Sequence, residues 1–515
     1  MCGIAGIAGG APPDTGLLAA MAEGMVNRGP DAQGSWHDDE VGLAFRRLAI
    51  IDLDERSSQP MHLGPLHLVF NGEIYNYLEL RDELRRLGHD FHTEGDAEVL
   101  LHAWHAWGEG ALDRLNGMFA FAVWDERDRR LTLARDPFGE KPLYYAHGRD
   151  GRLVFGSEVK AILLDPGVAG AQDADAMAAF VAHGVMPPPE RSFFAEVARL
   201  PAAHLLRWRD GAVEAHRYWR PRPVDVAPSY REAAEQVREL LLDSIRLRLR
   251  SDVPVGTSLS GGIDSSSVVM LSAELAGDHR RHAFTARFRG YERDEWDHAH
   301  AVAAAAEVEQ HHSVEPRVDE VLADLDTLVL DHEEPVASLS IYAQWRVNRA
   351  AREHGVVVLL DGQGGDELFA GYPVAAGFAL RSGGPALLAR GLARAPLAEA
   401  AAVGRSLAME HLGGSLRGLY RRRTASPYVA AALVRVPAMG EPPALPAWMR
   451  AADPLRRELL AESFLTSLPQ LLRYADRSSM AWSRELRLPF LDRRLAELAF
   501  SLPARFLSRN GTSKQ

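Results

Sequence analysis

Cys2 is the only cysteine of the chain, and its place directly after Met1 could make it a nucleophile. Removal of Met1 would leave a thiol and a free α-amine on one residue. Because an α-amine has an ordinary pKa of about 8, it can accept the proton of the thiol. The competing interpretation is a small apolar residue that begins a buried strand, since free cysteines are commonly buried and inert. The position alone leaves both interpretations open.

A second segment with chemical potential is Ser258-Leu-Ser-Gly-Gly-Ile-Asp-Ser-Ser-Ser267, between a predicted strand and an apolar helix predicted to begin near Val268. Two glycines let the backbone turn tightly, and the helix N-terminus and the serine hydroxyls offer donors to an anion. The lysine of the Gly-x4-Gly-Lys-[Ser/Thr] loop is missing, so the pattern favours a pyrophosphate cradle over a γ-phosphoryl transfer site. Asp264 could hold Mg²⁺ that bridges the leaving phosphates. An ordinary Gly-Gly turn with a capping serine is the alternative.

A third segment follows the predicted strand Val356–Leu360 and runs Asp361-Gly-Gln-Gly-Gly-Asp-Glu-Leu-Phe-Ala-Gly-Tyr372. The carboxyl ends of strands in open α/β sheets face the ligand crevice, so Asp366 and Glu367 could complete a metal site opposite Asp264. The alternative is a glycine-rich turn with a solvated pair of acids. The cradle upstream favours the ligand interpretation.

The surrounding elements predict two domains that join near residues 217–230. Before the junction, the β-rich runs Leu66–Phe70, which ends at the turn-like Asn71-Gly72, and Phe119–Trp124 predict stacked antiparallel sheets. The junction holds three prolines and little periodicity, which predicts a linker. Beyond it, helical patterns alternate with the strand-like runs Val253–Leu259 and Val356–Leu360, which predicts a parallel α/β domain. Residues 374–450 are rich in Ala, Leu and Arg and predict a helical insertion.

The composition limits the classes of function. A chain of 515 residues, 47% hydrophobic and 25% charged, has material for two or more cores. A single cysteine excludes an intrachain disulfide and a cysteine-rich metal cluster, which fits the cytoplasm. The net charge of −12 argues against a nucleic-acid binder. No apolar run reaches the roughly 18 residues of a membrane helix, so no membrane partner is expected either.

Several separated motifs, in one order along nearly the whole chain, resemble the glutamine-dependent asparagine synthetases of the asparagine synthase B type. Agreement at all of them by chance is negligible. They are Cys2-Gly-Ile4, Arg28-Gly-Pro-Asp31, Arg47-Leu-Ala-Ile-Ile51, Asn71-Gly-Glu73, Asp96, Arg135-Asp-Pro-Phe-Gly-Glu-Lys-Pro-Leu-Tyr144, Phe155-Gly-Ser-Glu-Val-Lys160, the Ser260 loop, Gly364-Gly-Asp-Glu367, Asp476-Arg-Ser-Ser-Met480 and Glu485-Leu-Arg-Leu-Pro-Phe-Leu-Asp492.

The resemblance implies an α/β multidomain fold. Residues 1–216 would form a class II glutamine amidotransferase (glutaminase) domain, a four-layer αββα N-terminal-nucleophile fold. Residues 217–230 would be the linker, and residues 231–515 a parallel-sheet ATP-pyrophosphatase domain, similar to adenine nucleotide α-hydrolases, with helical additions. The chain ends before a further Lys-rich motif of the family, so the synthetase half is interpreted as shortened at its C-terminus. The family's pairing through the N-terminal domain suggests a homodimer.

For the first domain, the resemblance implies that Cys2 attacks the amide carbon of glutamine, forms a glutamyl thioester and releases ammonia, with its own amine as the base. Asn71 and the Gly72 amide match the oxyanion hole. Taken singly, Arg47 and Asp96 are more typical of surface charges. The implied glutamine contacts are Arg47 for the α-carboxylate, Glu73 and Asp96 for the α-ammonium group, and Leu48, Ile51, Asn71 and Gly72.

For the second domain, the resemblance implies that ATP with Mg²⁺ activates the side-chain carboxylate of aspartate as an acyl-adenylate and releases pyrophosphate. Ammonia would arrive as neutral NH₃ through a largely apolar passage between the domains, and the products would be asparagine, AMP and glutamate. The strand that carries Ala286 would lie beside the adenine. The implied ATP and pyrophosphate contacts are Leu259, Ser260, Gly261, Gly262, Asp264, Ser265, Ser266, Ala286, Asp361 and Gly362, with Asp264 and Asp366 as metal ligands.

Gln363 departs from the family pattern, which commonly has an acid in this glycine turn. A glutamine side chain cannot act as a base, although it can still form hydrogen bonds, so Gln363 is identified as a modulator of the synthetase site. Three hypotheses follow. The first is an asparagine synthetase. The second is a related amide-forming tailoring enzyme of secondary metabolism that adenylates another carboxylate, which Gln363 and the short end favour; the third is a glutamine-binding or regulatory pseudo-synthetase.

Overall fold

The computed structural model describes residues 2–275, 281–292, 294–372, 378, 382, 445–509 and 512–513. The predicted helical insertion of residues 374–450 lies largely outside these residues. Of the described helices, none has both the length and the apolar character needed to cross a bilayer. The strands are β1 (Gly3–Ala8), β2 (Ala32–His37), β3 (Val41–Arg47), β4 (Met61–Leu63), β5 (Leu66–Ile74), β6 (Gly117–Asp125), β7 (Arg130–Arg135), β8 (Tyr144–His147), β9 (Leu153–Gly156), β10 (Val197–Arg199), β11 (His204–Arg209), β12 (Ala212–Arg217), β13 (Val255–Ser258), β14 (His282–Ala286), β15 (Gln310–Val314), β16 (Val358–Leu360), β17 (Glu485–Arg487), β18 (Ser508–Arg509) and β19 (Thr512–Ser513).

The α-helices divide between the two halves of the chain. Those of the first half are Thr15–Glu23, Tyr77–Arg86, Asp96–Trp107, Val159–Ile162 and Ala174–His183, with short 3-10 helices at Glu55–Ser57 and Gly108–Asp113. Those of the second half are Tyr230–Arg248, Ile263–Leu275, Trp296–Ala305, Val318–His332, Ser340–Glu353, Gly365–Leu368, Ala447–Arg450, Pro454–Phe464, Ser467–Met480, Arg493–Ser501 and Ala504–Leu507.

Two six-stranded antiparallel sheets stack in the first half, in the orders β10-β8-β9-β1-β3-β2 and β12-β11-β7-β6-β5-β4. Their facing sides bury side chains such as Ile4, Phe45 and Val69. The Thr15–Glu23 helix packs on the outer side of the first sheet, and the Asp96–Trp107 helix packs on the second. Because each sheet buries one face against the other and one against helices, the result is the four-layer αββα fold, as predicted.

Strand β5 runs through Asn71-Gly72 and does not end there. It pairs with β6 without interruption from Leu66 to Ile74. A Cβ atom on Gly72 would lie 2.1 Å from the carbonyl oxygen of Met118. An Asn-Gly pair is typical of a hairpin turn, but here the glycine permits close approach of two paired backbones. The predicted end of this strand was therefore wrong, and both residues lie inside the sheet.

A five-stranded parallel sheet organises the second half, in the order β15-β14-β13-β16-β17. This confirms the predicted parallel α/β domain. From β13 the chain extends the sheet to one side through β14 and β15, and then returns to extend it on the other side through β16 and β17. Ligands of open α/β sheets bind at the carboxyl ends of the strands at such a reversal, which here lies between β13 and β16.

The helix after β13 begins at Ile263, five residues before the predicted start near Val268. The serines of the segment extend its first turn. The Ser266 backbone N–H donates to the carbonyl oxygen of Gly262 at 2.9 Å, and the Ser267 hydroxyl donates to the carbonyl oxygen of Ile263 at 2.7 Å. Because these serines bond to the backbone of the helix itself, they do not delay it. The helix N-terminus therefore lies directly at the Gly-Gly loop.

Residues 218–229 join β12 to the Tyr230–Arg248 helix without a helix or strand of their own. They lie against the second half of the chain. The Trp219 indole N–H donates to Glu497 at 3.2 Å, and the Val224 N–H donates to Ser501 at 3.0 Å. The predicted domain limits at residues 216 and 231 remain predictions.

Candidate active sites

The first candidate site is a cavity in the first half of the chain. Residues from separate elements line it: Cys2 before β1, Arg47 at the end of β3, Gly72 and Glu73 on β5, and Asp96 at the start of a helix. The lining also includes Leu48 and Ile51. The structure thus brings together the glutamine-site residues that the sequence singled out, with Asn71 at hydrogen-bonding distance from Cys2.

Cys2 is held by its backbone. Its N–H donates to the side-chain oxygen of Asn71 at 3.0 Å, and its carbonyl oxygen accepts a hydrogen bond from Nε of Arg28 at 3.0 Å. The Asn71 amide in turn lies 3.5 Å from the hydroxyl of Ser157. Burial raises the pKa of the Cys2 thiol, against the opposing effect of the Leu48 backbone N–H. The thiol therefore needs a base to become a nucleophile, and removal of Met1 would free the α-amine of Cys2 for that role.

Arg47 supplies the positive charge of the cavity. Its guanidinium donates to the carbonyl oxygen of Asp54 at 2.7 Å and to that of Asp52. Two carbonyl groups thus fix the plane of the guanidinium while it lines the cavity, an arrangement that suits a ligand carboxylate. Arg47 is 6% exposed and Asp96 7% exposed, so the interpretation of both as surface charges was wrong.

Glu73 and Asp96 supply the negative charge. One carboxylate oxygen of Asp96 accepts the Ile74 N–H at 2.8 Å, while Oε2 of Glu73 has no hydrogen-bond partner among the described residues. Burial is the main cause that raises the pKa of both carboxyl groups, that of Asp96 to about 6, and the neighbouring carboxylate of Glu485 raises them further. The charge of Asp96 also raises the pKa of Glu73. A ligand ammonium group between these two buried acids would stabilise their ionised forms.

The cavity wall also contains residues that the sequence did not single out. Gln59 fixes the wall, because its side-chain amide bonds to both the N–H and the carbonyl oxygen of Phe70, at 2.6 and 3.3 Å. Ser57 donates to Asp52 at 2.8 Å and so supports the turn that holds Arg47. No local pattern marks these residues, since their partners lie on other elements. The additional lining residues are Ile50, Ser57, Gln59, Phe70, Gly95 and Ala97.

The second candidate site is an open cleft of about 1450 Å³ at the carboxyl ends of β13, β14 and β16, where the sheet order reverses. From the predicted set, Leu259, Ser260, Ala286, Asp361 and Gln363 line it. The Ser467–Met480 helix forms another wall, which the sequence did not predict. Its lining residues are Ser467, Gln470, Leu471 and Tyr474.

The Gly-Gly loop beside this cleft is held tightly. The hydroxyls of Ser260 and Ser265 lie 3.0 Å apart, and the Ser260 N–H donates to the Ser265 hydroxyl at 3.2 Å. Gly261 has φ of +83°, and a Cβ atom there would lie 2.7 Å from the backbone nitrogen of Ala299. The buried hydroxyl of Ser266 has no hydrogen-bond partner among the described residues. The loop therefore offers a rigid backbone turn with a free donor at a helix N-terminus, as an anion cradle requires.

Acidic side chains meet where the turn after β16 packs on this loop. Asp361 accepts the Gln363 N–H at 3.0 Å, and burial raises its pKa, with a further contribution from the charge of Asp264. A Cβ atom on Gly365 would lie 2.5 Å from the carboxylate carbon of Asp264. The structure thus places Asp264 against the glycine turn, near Asp361. Gly362 of the same turn packs closely on the loop, because a Cβ atom added to it would lie 2.7 Å from the backbone nitrogen of Ser265.

The other two acids of the turn are arranged differently. Asp366 lies in the first turn of the short Gly365–Leu368 helix. The buried carboxylate of Glu367 accepts hydrogen bonds from the hydroxyls of Tyr372, at 2.6 Å, and Ser467, at 3.0 Å. Glu367 therefore ties the turn to the wall helix. No cluster of three or more His, Cys, Asp or Glu side chains suited to a metal ion occurs in the described part of the chain.

Gln363 lines the cleft with its side chain. Its buried oxygen Oε1 has no hydrogen-bond partner within the described residues. An amide oxygen in this position can accept a hydrogen bond from a ligand but cannot remove a proton at neutral pH. Gln363 thus offers an unpaired acceptor oxygen at the cleft, and its role as a modulator of the site remains a prediction.

An apolar cluster joins the two halves of the chain. Leu48 and Met118 of the first half pack there against Leu247, Val358 and Met480 of the second. Leu48 lines the cavity of Cys2, and Val358 lies on β16, the strand that leads to Asp361. Apolar side chains of both halves thus pack together beside the first cavity.

Comparisons with known proteins assign a family model to each half of the chain. Residues 1–219 match the model of the glutamine amidotransferase domain, and residues 236–515 match that of asparagine synthase. Glutamine-hydrolyzing asparagine synthetase 1 of Bacillus subtilis is 31% identical, over 100% of this chain and 83% of its own. Synthetase 3 of the same organism is 30% identical, over 94% of this chain and 77% of its own.

A relative with a different name is Amidase chry2 of Gibberella zeae. It is 31% identical over 68% of this chain and 54% of its own length. Family models that together span nearly all of the sequence, and relatives at 30% identity or more along most of their length, agree with the two sites described above. The chain belongs to the asparagine synthase family, with an N-terminal glutamine amidotransferase domain.

Proposed function

We propose that the protein is a glutamine-dependent asparagine synthetase, an ATP-dependent amide ligase. In the proposed reaction, glutamine is hydrolysed at Cys2, aspartate is adenylated in the cleft, and ammonia passes between the sites to give asparagine. The observation that carries this proposal is the pairing of two sites in one chain. A buried cysteine lies in a cavity with one guanidinium and two acids, beside which the two halves pack through apolar side chains. The second half has a cleft at the reversal of a parallel sheet.

At the first site, the charges of the cavity match both ends of an amino acid. Arg47 would bind the α-carboxylate of glutamine, and Glu73 and Asp96 would bind the α-ammonium group. The side-chain amide would then face Cys2, with Asn71 and the Gly72 N–H as donors to the oxyanion. The thiolate attacks the amide carbon, ammonia leaves, and water hydrolyses the thioester to glutamate.

We expect the KM for glutamine to rise as the pH falls through about 6, because that is the pKa of Asp96. The sign follows from charge: the ionised carboxyl attracts the ligand ammonium, so binding is full above the pKa and is lost below it. Steady-state hydrolysis measured between about pH 5 and 8 tests this expectation. The variant Asp96→Asn should have a high KM at every pH. A KM that is independent of pH in the unmodified enzyme would contradict the expectation.

At the second site, we propose that the Gly-Gly loop binds the phosphates of ATP and that Ala286 and Leu259 lie beside the adenine. Asp264 and Asp366 are the proposed Mg²⁺ ligands. Mg²⁺ in nucleotide sites is commonly held by one or two carboxylates and completed by phosphate oxygens and water, which fits the position of Asp264 against the glycine turn that carries Asp366. When bound, the ion would neutralise the charge on the leaving pyrophosphate.

Gly365→Ala should abolish pyrophosphate release with little effect on glutamine hydrolysis. The new Cβ atom would lie 2.5 Å from the Asp264 carboxylate carbon and would displace a proposed metal ligand. Pyrophosphate and glutamate assays on the same sample separate the two activities. Gly355→Ala is the control, since its Cβ atom meets nothing within 4 Å and its φ of +73° makes it the more strained backbone position. Equal losses in the two variants would contradict the role of Asp264.

Ammonia must pass from Cys2 to the cleft as neutral NH₃, because the ammonium ion is not a nucleophile. The apolar cluster around Leu48, Met118 and Val358 provides surroundings that disfavour the charged form. We propose that this cluster borders the route. Replacing Val358 with a bulkier residue should lower the asparagine formed per glutamate released.

The test of the proposal is pyrophosphate release by the purified enzyme with ATP, Mg²⁺ and glutamine, with and without aspartate, while glutamate and asparagine are measured in parallel. Aspartate-dependent pyrophosphate release with stoichiometric asparagine is the expected result. If glutamate is formed but no pyrophosphate is released, the proposed glutaminase activity stands and the proposed asparagine synthesis is rejected.

A second candidate is an amide-forming tailoring enzyme that acts on another carboxylate. Two observations favour it. Gln363 replaces an acid, and the cleft lining within the described residues holds the carboxyl groups of Glu295 and Asp361 but no Lys or Arg for the α-carboxylate of aspartate. A panel of carboxylic acids in the pyrophosphate assay distinguishes the two functions. Gln363→Glu should raise activity if aspartate is the acceptor and the site prefers an acid.

The cellular setting is also a proposal. One unpaired cysteine, buried in the cavity, suits the reducing cytoplasm. A homodimer through the N-terminal domain remains a proposal from the family resemblance, which sedimentation of the purified enzyme would test.

A further inference from the structure

The glutamine cavity borders a residue of the synthetase domain. Arg487 on β17 places Nη2 at 3.8 Å from Oε1 of Glu73. Glu73 lines the cavity, and its other oxygen, Oε2, has no hydrogen-bond partner among the described residues. The acid proposed to receive the α-ammonium group thus has its nearby positive charge on the other domain.

Arg487 is fixed in this position. Its side chain is fully buried. Nε donates to Glu485 at 2.6 Å, and Nη1 donates to the carbonyl oxygens of Arg248 and Arg250, each at 2.6 Å. Nη2 has no hydrogen-bond partner within the described residues and is the nitrogen nearest Glu73. A guanidinium held at three points presents a charge that cannot move away from Glu73.

The charges around Glu73 affect its ionisation, and Arg487 is one of them. Asp96 and Glu485 both add negative charge beside Glu73, and burial also favours its protonated form. Arg487 is the arginine whose charge acts against them. Because a protonated carboxyl cannot pair with an ammonium group, the charge state of Glu73 decides how well the subsite works.

The backbone of the same residue reaches the second site. The carbonyl oxygen of Arg487 accepts the N–H of Asp361 at 3.0 Å, since β17 pairs with β16. Asp361 lines the nucleotide cleft. Arg487 therefore contacts a lining residue of each candidate site, Glu73 through its side chain and Asp361 through its carbonyl group.

We propose that Arg487 is a positioning residue of the glutaminase site, which keeps Glu73 ionised and oriented for the α-ammonium group of glutamine. The subsite is then complete only when the synthetase sheet is docked on the first domain. This inference rests on the glutaminase half of the proposed function and deepens it.

The test compares Arg487→Gln with Arg487→Lys in the full-length enzyme. In Arg487→Gln, we expect the KM for glutamine to rise on the order of tenfold, with kcat little changed, because the loss is in ammonium binding. The rise of KM at acidic pH should also begin at a higher pH. Arg487→Lys should restore part of the affinity for glutamine, because the lysine carries the positive charge but cannot form the three hydrogen bonds that hold the guanidinium in place.

A second substrate separates positioning from general structural damage. Glutaramate is glutamine without the α-amino group, so its KM should be the same in Arg487→Gln and the unmodified enzyme. Arg484→Gln is the matched control, a buried arginine at the start of the same segment that donates to the carbonyl oxygens of Trp482 and Val356. It should leave the glutamine KM unchanged.

Three results would overturn the inference: an unchanged glutamine KM in Arg487→Gln, an equal rise for glutamine and glutaramate, or an equal rise in Arg484→Gln. If Arg487→Gln does not fold, an unchanged KM and pH profile in Arg487→Lys would overturn it as well, because a lysine cannot reproduce the fixed geometry. Failure of the unmodified enzyme to hydrolyse glutamine would instead reject the proposed glutaminase.

Discussion

Replacement of Cys2 by serine should abolish glutamine-dependent amide synthesis and leave ammonia-dependent synthesis intact. The hydroxyl is far less acidic than the thiol, and the α-amine is too weak a base to activate it, so kcat for glutamine hydrolysis should fall by on the order of 10³-fold or more. The cleft of the second domain does not contain Cys2, and ammonia added to the solution bypasses the first site. Asparagine formed with glutamine or with ammonium chloride, measured side by side, checks the expectation.

The single cysteine offers a matched control for this experiment. Since Cys2 is the chain's only thiol, alkylation with iodoacetamide modifies one known position. The alkylated enzyme should behave as Cys2→Ser does, with ammonia-dependent synthesis preserved. Glutamine-dependent synthesis that survives in the variant would show that another group supplies the nitrogen and would reject the proposed mechanism.

Asp476→Ala should destabilise the protein by about 3–5 kcal/mol, which is the typical cost of removing one partner from a buried ion pair. Arg28 is 0% exposed and Asp476 4% exposed, and they form two parallel hydrogen bonds of 2.7 and 2.9 Å across the domain interface. The variant leaves a buried guanidinium with Glu158 at 3.3 Å and the like charge of Arg477 nearby. Denaturant unfolding followed with separate probes for the two domains measures the loss.

Two further variants give this prediction its controls. Glu353→Ala removes an exposed i,i+4 pair with Arg349 and should change stability by about 0.5 kcal/mol or less. The double variant Arg28→Met with Asp476→Leu should recover most of the lost stability, because apolar replacement removes both charges of the pair together. Its glutaminase should stay impaired, since Arg28 also donates to the Cys2 carbonyl oxygen. A double variant less stable than Asp476→Ala would contradict this explanation.

The sequence was sufficient for the kind of fold and for most of the predicted site residues. Alternating patterns predicted stacked antiparallel sheets before the junction and a parallel sheet after it, and both are present. Cys2, Arg47, Glu73 and Asp96 were singled out from separate motifs, and all four line one cavity. The resemblance of these motifs to a family was needed here, because Arg47 and Asp96 taken singly are more typical of surface charges.

Local patterns were misleading where the neighbouring strand decides the conformation. Asn71-Gly72 has the composition of a hairpin turn, yet the close approach of β6 keeps both residues in the strand. The apolar run predicted a helix start near Val268, but the helix begins at Ile263 and includes the serines, of which Ser267 bonds to the helix backbone. In both cases a long-range or side-chain contact outweighed the local preference.

By itself, then, the sequence determined which chemical groups the protein has and in which motifs, because those follow from residue types at short spacing. The tertiary structure alone decided which charges meet. Arg28 and Asp476 are 448 positions apart, and their motifs had no assigned partner until the domains were docked. The same holds for Arg487 and Glu73. Buried charges require compensating partners, and only the packing of the two domains determines which partner each charge receives.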